Sequence, residues 1–291
     1  MARALACAVL LFSAAAPARA ARHAHAVPTR HMPGAVPVLV WTPPSYAAEP
    51  HRRYPVLYFL HDGQGDEAVL FRQGVIDALD AAMRAGRIPE MLVVCPRGDG
   101  TWWVDGQDPA RRMATFLSAD LVPFVDATYR TRASRGSRLA AGVSMGGYGA
   151  FRWALARPDL FTAAGGLSPA IAQLCVPTVA ALPFFIRPSL EAAFGADPVD
   201  NALRRNDLYQ ILLDDSSLAS RAPFLVVRCG TEDKYRLSEI AGLFDRFATA
   251  VGLAHEVRLE PGIHDWPYWR RVLPDFVKGL AARLAPSEAR P

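Results

Sequence analysis

Seven apolar runs of strand length, each closed by turn residues, punctuate the chain and constrain what it can fold into: VPVLVWTP, YPVLYFLHDG, MLVVCPRG, RLAAGVS, FTAAGGLSP, PFLVVRCG and HEVRLEPG. Most are apolar at nearly every position rather than at alternate ones, a pattern that belongs to strands buried on both faces of a sheet. Between most of them lie stretches with helical spacing, at 66–86, 112–128, 146–157, 237–251 and 268–284. Strand and helix in this alternation predict an α/β architecture, a mainly parallel central sheet with helices on both faces. A chain of 291 residues, 51% of them apolar, has material for one sizeable core, so a single domain over 35–285 is expected.

One segment breaks the rhythm. Residues 169–222 hold several prolines and no clean strand, and a long irregular insertion inside a compact α/β domain usually covers a functional site. At the N-terminus, MARALACAVLLFSAAAPARA has Arg3 near its start, an apolar run from Leu5 to Ala16, and Ala18 and Ala20 around Arg19. This is the layout of a secretory signal peptide, residues 1–20, with cleavage after Ala20 and a secreted or periplasmic destination. The apolar run is too short to span a bilayer, and no other segment is long enough, so stable membrane insertion is not expected.

Residues 21–34 carry His23, His25 and His31 without apolar periodicity and read as a flexible lead-in; residues 286–291 read as a frayed tail. With the leader removed, three cysteines remain. Cys95 and Cys229 each end an apolar run and read as buried thiols, and Cys95, Cys175 and Cys229 allow at most one internal disulfide. The formal charge of +4 falls further with loss of Arg3 and Arg19, too small and too dispersed for a nucleic-acid footprint. No cysteine spacing suggests a metal site, and neither a metal nor any other cofactor is called for.

The most informative stretch is RLAAGVSMGGYGA, residues 138–150, in which Gly142-Val143-Ser144-Met145-Gly146 fits G-x-S-x-G after a strand-like run and before a helix-like one. That is the context of a nucleophile elbow. The turn holds the serine strained, and glycines on either side let strand and helix approach closely. A serine hydroxyl needs a base, itself oriented by an acid, in the chain order Ser, Asp or Glu, His. Two histidines follow Ser144. His255 begins a strand; His264 sits in EPGIHDWPYW, after a strand and before a helix that Pro267 can start. His264 is therefore the expected base. For the acid, Asp233 in CGTEDKY follows a strand and is preferred, while spacing alone leaves Glu232 and Asp265 open. The backbone N–H of Met145 is one oxyanion donor, and the glycine-rich FLHDGQGDE loop offers Gln64 as the second, with Gly63 behind it.

Together these residues resemble the esterase family that includes esterase D (S-formylglutathione hydrolase), feruloyl esterase modules and mycolyltransferases. YPVLYFLHDGQGDE, TWWVDG, DLVPFVDATYRTRASRGSRLAAGVSMGGYGAFRWALARPDLF, CGTEDKY and PGIHDWPYW fall in the family's order across residues 37–280. The resemblance implies the α/β-hydrolase fold, in which 169–222 becomes a cap-like insertion of about 50 residues after the sixth strand. It also implies Ser144, Asp233 and His264 as nucleophile, acid and base, with Met145 and Gln64 as oxyanion donors. His61-Asp62-Gly63 departs from the His-Gly of many members. Trp102, Trp103 and Asp105 match a segment that borders the active site in such enzymes, and adjacent tryptophans are expected to leave at least one partly exposed; Trp266 and Trp269 beside His264 read the same way. The implied function is a secreted serine esterase acting on a small-molecule ester. An acyltransferase using the same triad and a non-catalytic binding protein on the same fold are the alternatives.

Overall fold

In the computed structural model the described residues are 20–171, 187–195 and 205–286; all of the proposed leader 1–20 but Ala20, with Cys7, Cys175 and residues 287–291, lies outside them. Eight strands form one sheet in the order β1-β2-β4-β3-β5-β6-β7-β8. They are β1 Ala21–Val27, β2 Val36–Thr42, β3 Val56–Leu60, β4 Leu92–Pro96, β5 Arg138–Val143, β6 Ala163–Leu167, β7 Phe224–Gly230 and β8 His255–Glu260. The pairs β1/β2 and β2/β4 are antiparallel and every other pair is parallel. This is the α/β-hydrolase arrangement, with β5 at the centre between β3 and β6.

The helices are α1 Val69–Arg72, α2 Val75–Arg84, α3 Met113–Phe116, α4 Val122–Thr128, α5 Met145–Ala156, α6 Arg187–Phe194, α7 Leu208–Asp214, α8 Leu218–Arg221, α9 Leu237–Ala250 and α10 Trp266–Ala281. They divide between the two faces of the sheet, and β3 makes the division visible. All five of its residues are buried, yet Val56, Tyr58 and Leu60 enter one core with α4, α5 and α9, while Leu57 and Phe59 enter the other with α2 and α10. The two-residue period of a strand is present even where hydropathy does not alternate, because both faces are dry. Cys95 and Cys229 are buried free thiols on opposite sides of the sheet.

The flexible lead-in is corrected: residues 21–27 are an edge strand in seven-residue register with β2, from Ala21↔Thr42 to Val27↔Val36. Alanine, arginine and histidine carry too weak an apolar signal to mark a strand. The ladder to β2 supplies the hydrogen bonds, and alternate residues face inward: His23 and His25 lay their rings edge-on against Tyr129, with His25 Nε2 bonded to its hydroxyl, and Val27 is buried. Of the segment 169–222, the described parts are Pro169–Ile171, α6, α7 and α8 with their flanks. Phe194 of α6 and Leu208 of α7 are fully buried against the α5 side of the sheet.

Candidate active site

The central strand delivers Ser144 at a sharp turn. β5 ends at Val143 and α5 begins at Met145, leaving Ser144 at φ 52°, ψ −117°, a conformation that an L-residue adopts only at a cost of about 1–3 kcal/mol. Its N–H donates to the Leu167 carbonyl (2.9 Å), and its own carbonyl accepts from Tyr148 and Ala170 (3.2 and 3.0 Å), so neighbours on both sides hold the strain. The glycines are obligatory. A Cβ on Gly146 would lie 2.0 Å from the Leu60 carbonyl oxygen, and one on Gly142 2.3 Å from the Gly146 backbone. The first N–H groups of α5, that of Met145 among them, lack partners within the helix and carry its positive end toward the serine.

His264 and Asp233 come from the loops after β8 and β7, neighbouring strands that lie beyond β6 on one side of the elbow strand β5. His264 Nε2 lies 3.0 Å from Ser144 Oγ, and His264 Nδ1 lies 2.7 Å from Asp233 Oδ2. A carboxylate can only accept, so Nδ1 carries the ring proton and Nε2 is left to accept from the serine hydroxyl. The second Asp233 oxygen accepts the Tyr235 N–H (2.9 Å). Burial works against the Asp233 charge; the hydrogen bond and charge of His264, with the backbone N–H groups of Tyr235 and Leu237, outweigh it and hold the carboxyl below its ordinary range. The imidazole is flanked edge-on by Tyr235 at 4.8 Å and Trp269 at 4.9 Å between ring centroids.

The other acid candidates are occupied elsewhere. Glu232 is exposed and accepts from the Thr231 hydroxyl (2.9 Å). Asp265 is the N-cap of α10, where it accepts the Tyr268 N–H (2.9 Å) and Pro267 occupies the first turn. His255 begins edge strand β8 and is bonded to the Leu253 carbonyl and Asp245.

The loop after β3 lies against the elbow because β3 pairs with β5, Leu60 opposite Gly142. His61 is its anchor. Its Nδ1–H donates to the Asp62 carbonyl (2.6 Å) and its Nε2 accepts the Gly98 N–H (2.8 Å), tying this loop to the one after β4. Burial lowers its pKa, with the Asp62 carbonyl and nearby carboxylates opposing, so it sits as a neutral imidazole. Gly63 and Gln64 form the exposed tip, and the Gly65 N–H closes the turn onto the Asp62 carbonyl (3.2 Å). The Asp62 carboxyl is raised by burial, against the opposing charges of His61 and His264 and the N–H groups of Asp62 and Gln64. This side chain gives the Gln64 N–H a competing acceptor.

The expectation of an exposed tryptophan in the 102–103 pair is corrected, since Trp103 is 0% and Trp102 6% exposed. Both sit at positive φ, 62° and 54°, so the alternation of an extended strand does not apply to them. Trp103 lies in a slot that only glycines permit: a Cβ on Gly149 or on Gly98 would come within 2.5 or 2.6 Å of the indole. Trp102 is covered by Tyr148 and by Phe194 of α6, and its Nε1–H donates to Ser189 (3.2 Å). Asp105 spends its carboxylate on the Thr115 N–H and hydroxyl (2.9 and 2.6 Å) and on Arg112, tying the tryptophan loop to α3. Trp266 is half-buried and stands edge-on to Trp269 at 5.2 Å, so the indole beside His264 is that of Trp269. Sequence reasoning missed Tyr235, which lies just beyond the acid in CGTEDKY, and His61 as a latch.

The sequence pattern of the family described as "Putative esterase" matches residues 29–280, nearly the whole described fold. The chain belongs to that esterase family. Among individual relatives, Esterase Rv1288 of Mycobacterium tuberculosis is 35% identical over 111 residues, 35% of this chain and 22% of the relative. An acetyl esterase of Caldicellulosiruptor saccharolyticus is 24% identical over 196 residues, 63% of this chain and 69% of the relative. The match thus spans less than a quarter of the Mycobacterium esterase. A solved ferulic acid esterase superposes with a TM-score of 0.74 at 21% identity, covering 92% of this chain and 98% of that one, which shows the shared fold. Among the described residues no helix is long and apolar enough to cross a membrane.

Proposed function

We propose that this family member is a serine esterase that hydrolyses carboxylic esters through an acyl-enzyme on Ser144. The observation that carries the reading is the unbroken chain from Asp233 Oδ2 through His264 to Ser144 Oγ, with contacts of 2.7 and 3.0 Å, ending on a strained serine at a helix N-terminus. Ser144 Oγ attacks the ester carbonyl while His264 Nε2 takes its proton, and the Asp233 carboxylate stabilises the imidazolium that forms. Charge on the former carbonyl oxygen meets the Met145 N–H, with the Gln64 loop as the second donor. The imidazolium then protonates the departing alcohol. Water attacks the acyl-serine with His264 as base, releasing the acid and restoring Ser144.

Tyr235, in ring contact with His264, is 39% exposed, and Ile263, the residue before the histidine in the chain, is 50% exposed. An apolar rim of this kind suits short-chain or aryl acyl esters, in keeping with the acetyl esterase and ferulic acid esterase similarities. Export belongs to the same reading. The signal-like segment 1–20 would be cleaved just before Ala21, leaving β1 whole. The test is Ser144→Ala, which removes one hydroxyl from an elbow shaped by its glycines. The variant is expected to fold and to lose nearly all hydrolysis of nitrophenyl acetate and butyrate; a folded variant at the parental rate would refute the proposal. Slow acid release with rapid transfer to an added alcohol, in the parent, would assign an acyltransferase instead.

A further inference from the structure

Ser168 is a second serine in a backbone conformation that serines avoid. It follows β6 at φ 43°, is 0% exposed, and stands one strand away from the elbow, where its neighbour Leu167 receives the Ser144 N–H. Glycine would occupy such a position without strain, so the side chain has to be worth its conformational cost. Its surroundings show what the hydroxyl does. Trp269 Nε1–H donates to Ser168 Oγ (3.2 Å), and the ring so anchored stands edge-on to the His264 imidazole at 4.9 Å. On the other side, Cys229 Sγ lies 3.7 Å from Ser168 Oγ and 3.9 Å from Asp233 Oδ2, the same oxygen that accepts from His264. Burial first, and the Asp233 charge second, push the Cys229 thiol up to about 12, so it remains a protonated, weakly donating group packed behind the carboxylate.

We propose that Ser168 is a positioning residue of the Ser144 centre, holding His264 through Trp269 and backing Asp233 through Cys229. The inference rests on the catalytic reading of Ser144, His264 and Asp233 given above. Ser168 touches neither the serine nor a substrate. Its effect is to fix where the base stands, and a base displaced by a fraction of an ångström loses rate in the chemical step rather than affinity for the ester.

The experiment uses the full chain with Ser168→Ala, Ser168→Gly, Trp269→Phe and the double variant Ser168→Ala/Trp269→Phe, assayed on nitrophenyl acetate beside Ser144→Ala. Ser168→Gly keeps the variant series interpretable, because glycine relieves the positive φ and so offsets part of the cost of leaving the buried Trp269 N–H without its acceptor. The proposal expects kcat to fall by about tenfold in each single variant with KM within about twofold, and the losses in the double variant to be less than additive, since both single changes remove the Trp269–Ser168 hydrogen bond. A Ser168→Gly protein as stable as the parent and equally active would overturn it, as would losses that add in the double variant or appear in KM alone. If Ser144→Ala itself stays active, the catalytic reading fails instead, and that outcome is read independently of the Ser168 variants.

Discussion

Replacing Asp233 by asparagine changes no atom positions of consequence and tests the site where its logic is tightest. In the native arrangement both carboxylate oxygens accept, one from His264 Nδ1–H and the other from the Tyr235 N–H. An amide offers one acceptor and one donor. If its oxygen stays on Tyr235, its NH₂ faces His264 Nδ1, which must then give up its proton to become an acceptor. The ring proton moves to Nε2, where it points at Ser144 Oγ, 3.0 Å away, and blocks the only atom that could take the serine proton. If the amide flips to keep His264 correct, its NH₂ meets the part-buried Tyr235 N–H, and two unsatisfied donors cost about 1–3 kcal/mol each. The wrong tautomer is the cheaper state. Equivalent changes in serine triads lower kcat about 10⁴-fold, a transition-state cost of about 5.5 kcal/mol at 1.4 kcal/mol per decade. The assay is kcat/KM on nitrophenyl butyrate for Asp233→Asn beside Glu232→Gln, whose exposed side chain accepts from Thr231 and should leave activity within about twofold. A folded Asp233→Asn variant within tenfold of the parent, or a collapse in Glu232→Gln instead, would refute the reasoning.

Two further outcomes follow from the packing. Gly146→Ala would force a Cβ to 2.0 Å from one backbone carbonyl and 2.5 Å from the next, neither of which can swing aside, and should cost about 3 kcal/mol or more with loss of activity, measured by urea denaturation and ester turnover. Gly279→Ala, in α10 with open space around its Cβ, should instead stabilise by about 0.5–1 kcal/mol in the same denaturation series. His61 gives a pH signature. Its folded pKa lies below the unfolded value of about 6.5, so its contribution to stability is whole above that pH and is lost as pH falls through the window below it, at no more than about 1.4 kcal/mol per pH unit for one proton. Unfolding free energies measured from pH 7.5 to 5 should decline less steeply in His61→Gln than in the parent; equal slopes would remove His61 from the account.

Local chemistry was legible along the chain because it depends on neighbours in sequence. The seven runs became seven strands, and G-x-S-x-G marked the place where β5 turns into α5, since only glycines admit the 2.0 Å and 2.3 Å approaches found there. The same locality made Ser144, Asp233 and His264 nameable. It did not decide among Asp233, Glu232 and Asp265, which all follow strands in the last third of the chain. Direction decided: Asp233 turns inward onto His264, Glu232 outward to solvent, and Asp265 into the first turn of its own helix. β1 was invisible because an edge strand of alanine, arginine and histidine takes its stability from the β2 ladder rather than from its own apolar surface. The tryptophan pair was misjudged because left-handed backbone at 102 and 103 sends both rings inward, into slots closed by Gly149 and by α6, a helix more than 80 residues away in the chain. Ser168 reads as an ordinary turn serine until β6 stands beside β5 and α10 folds across it. What the sequence alone determined was the order and chemistry of the parts; tertiary structure decided which way each side chain points, because that depends on contacts between residues the chain keeps far apart.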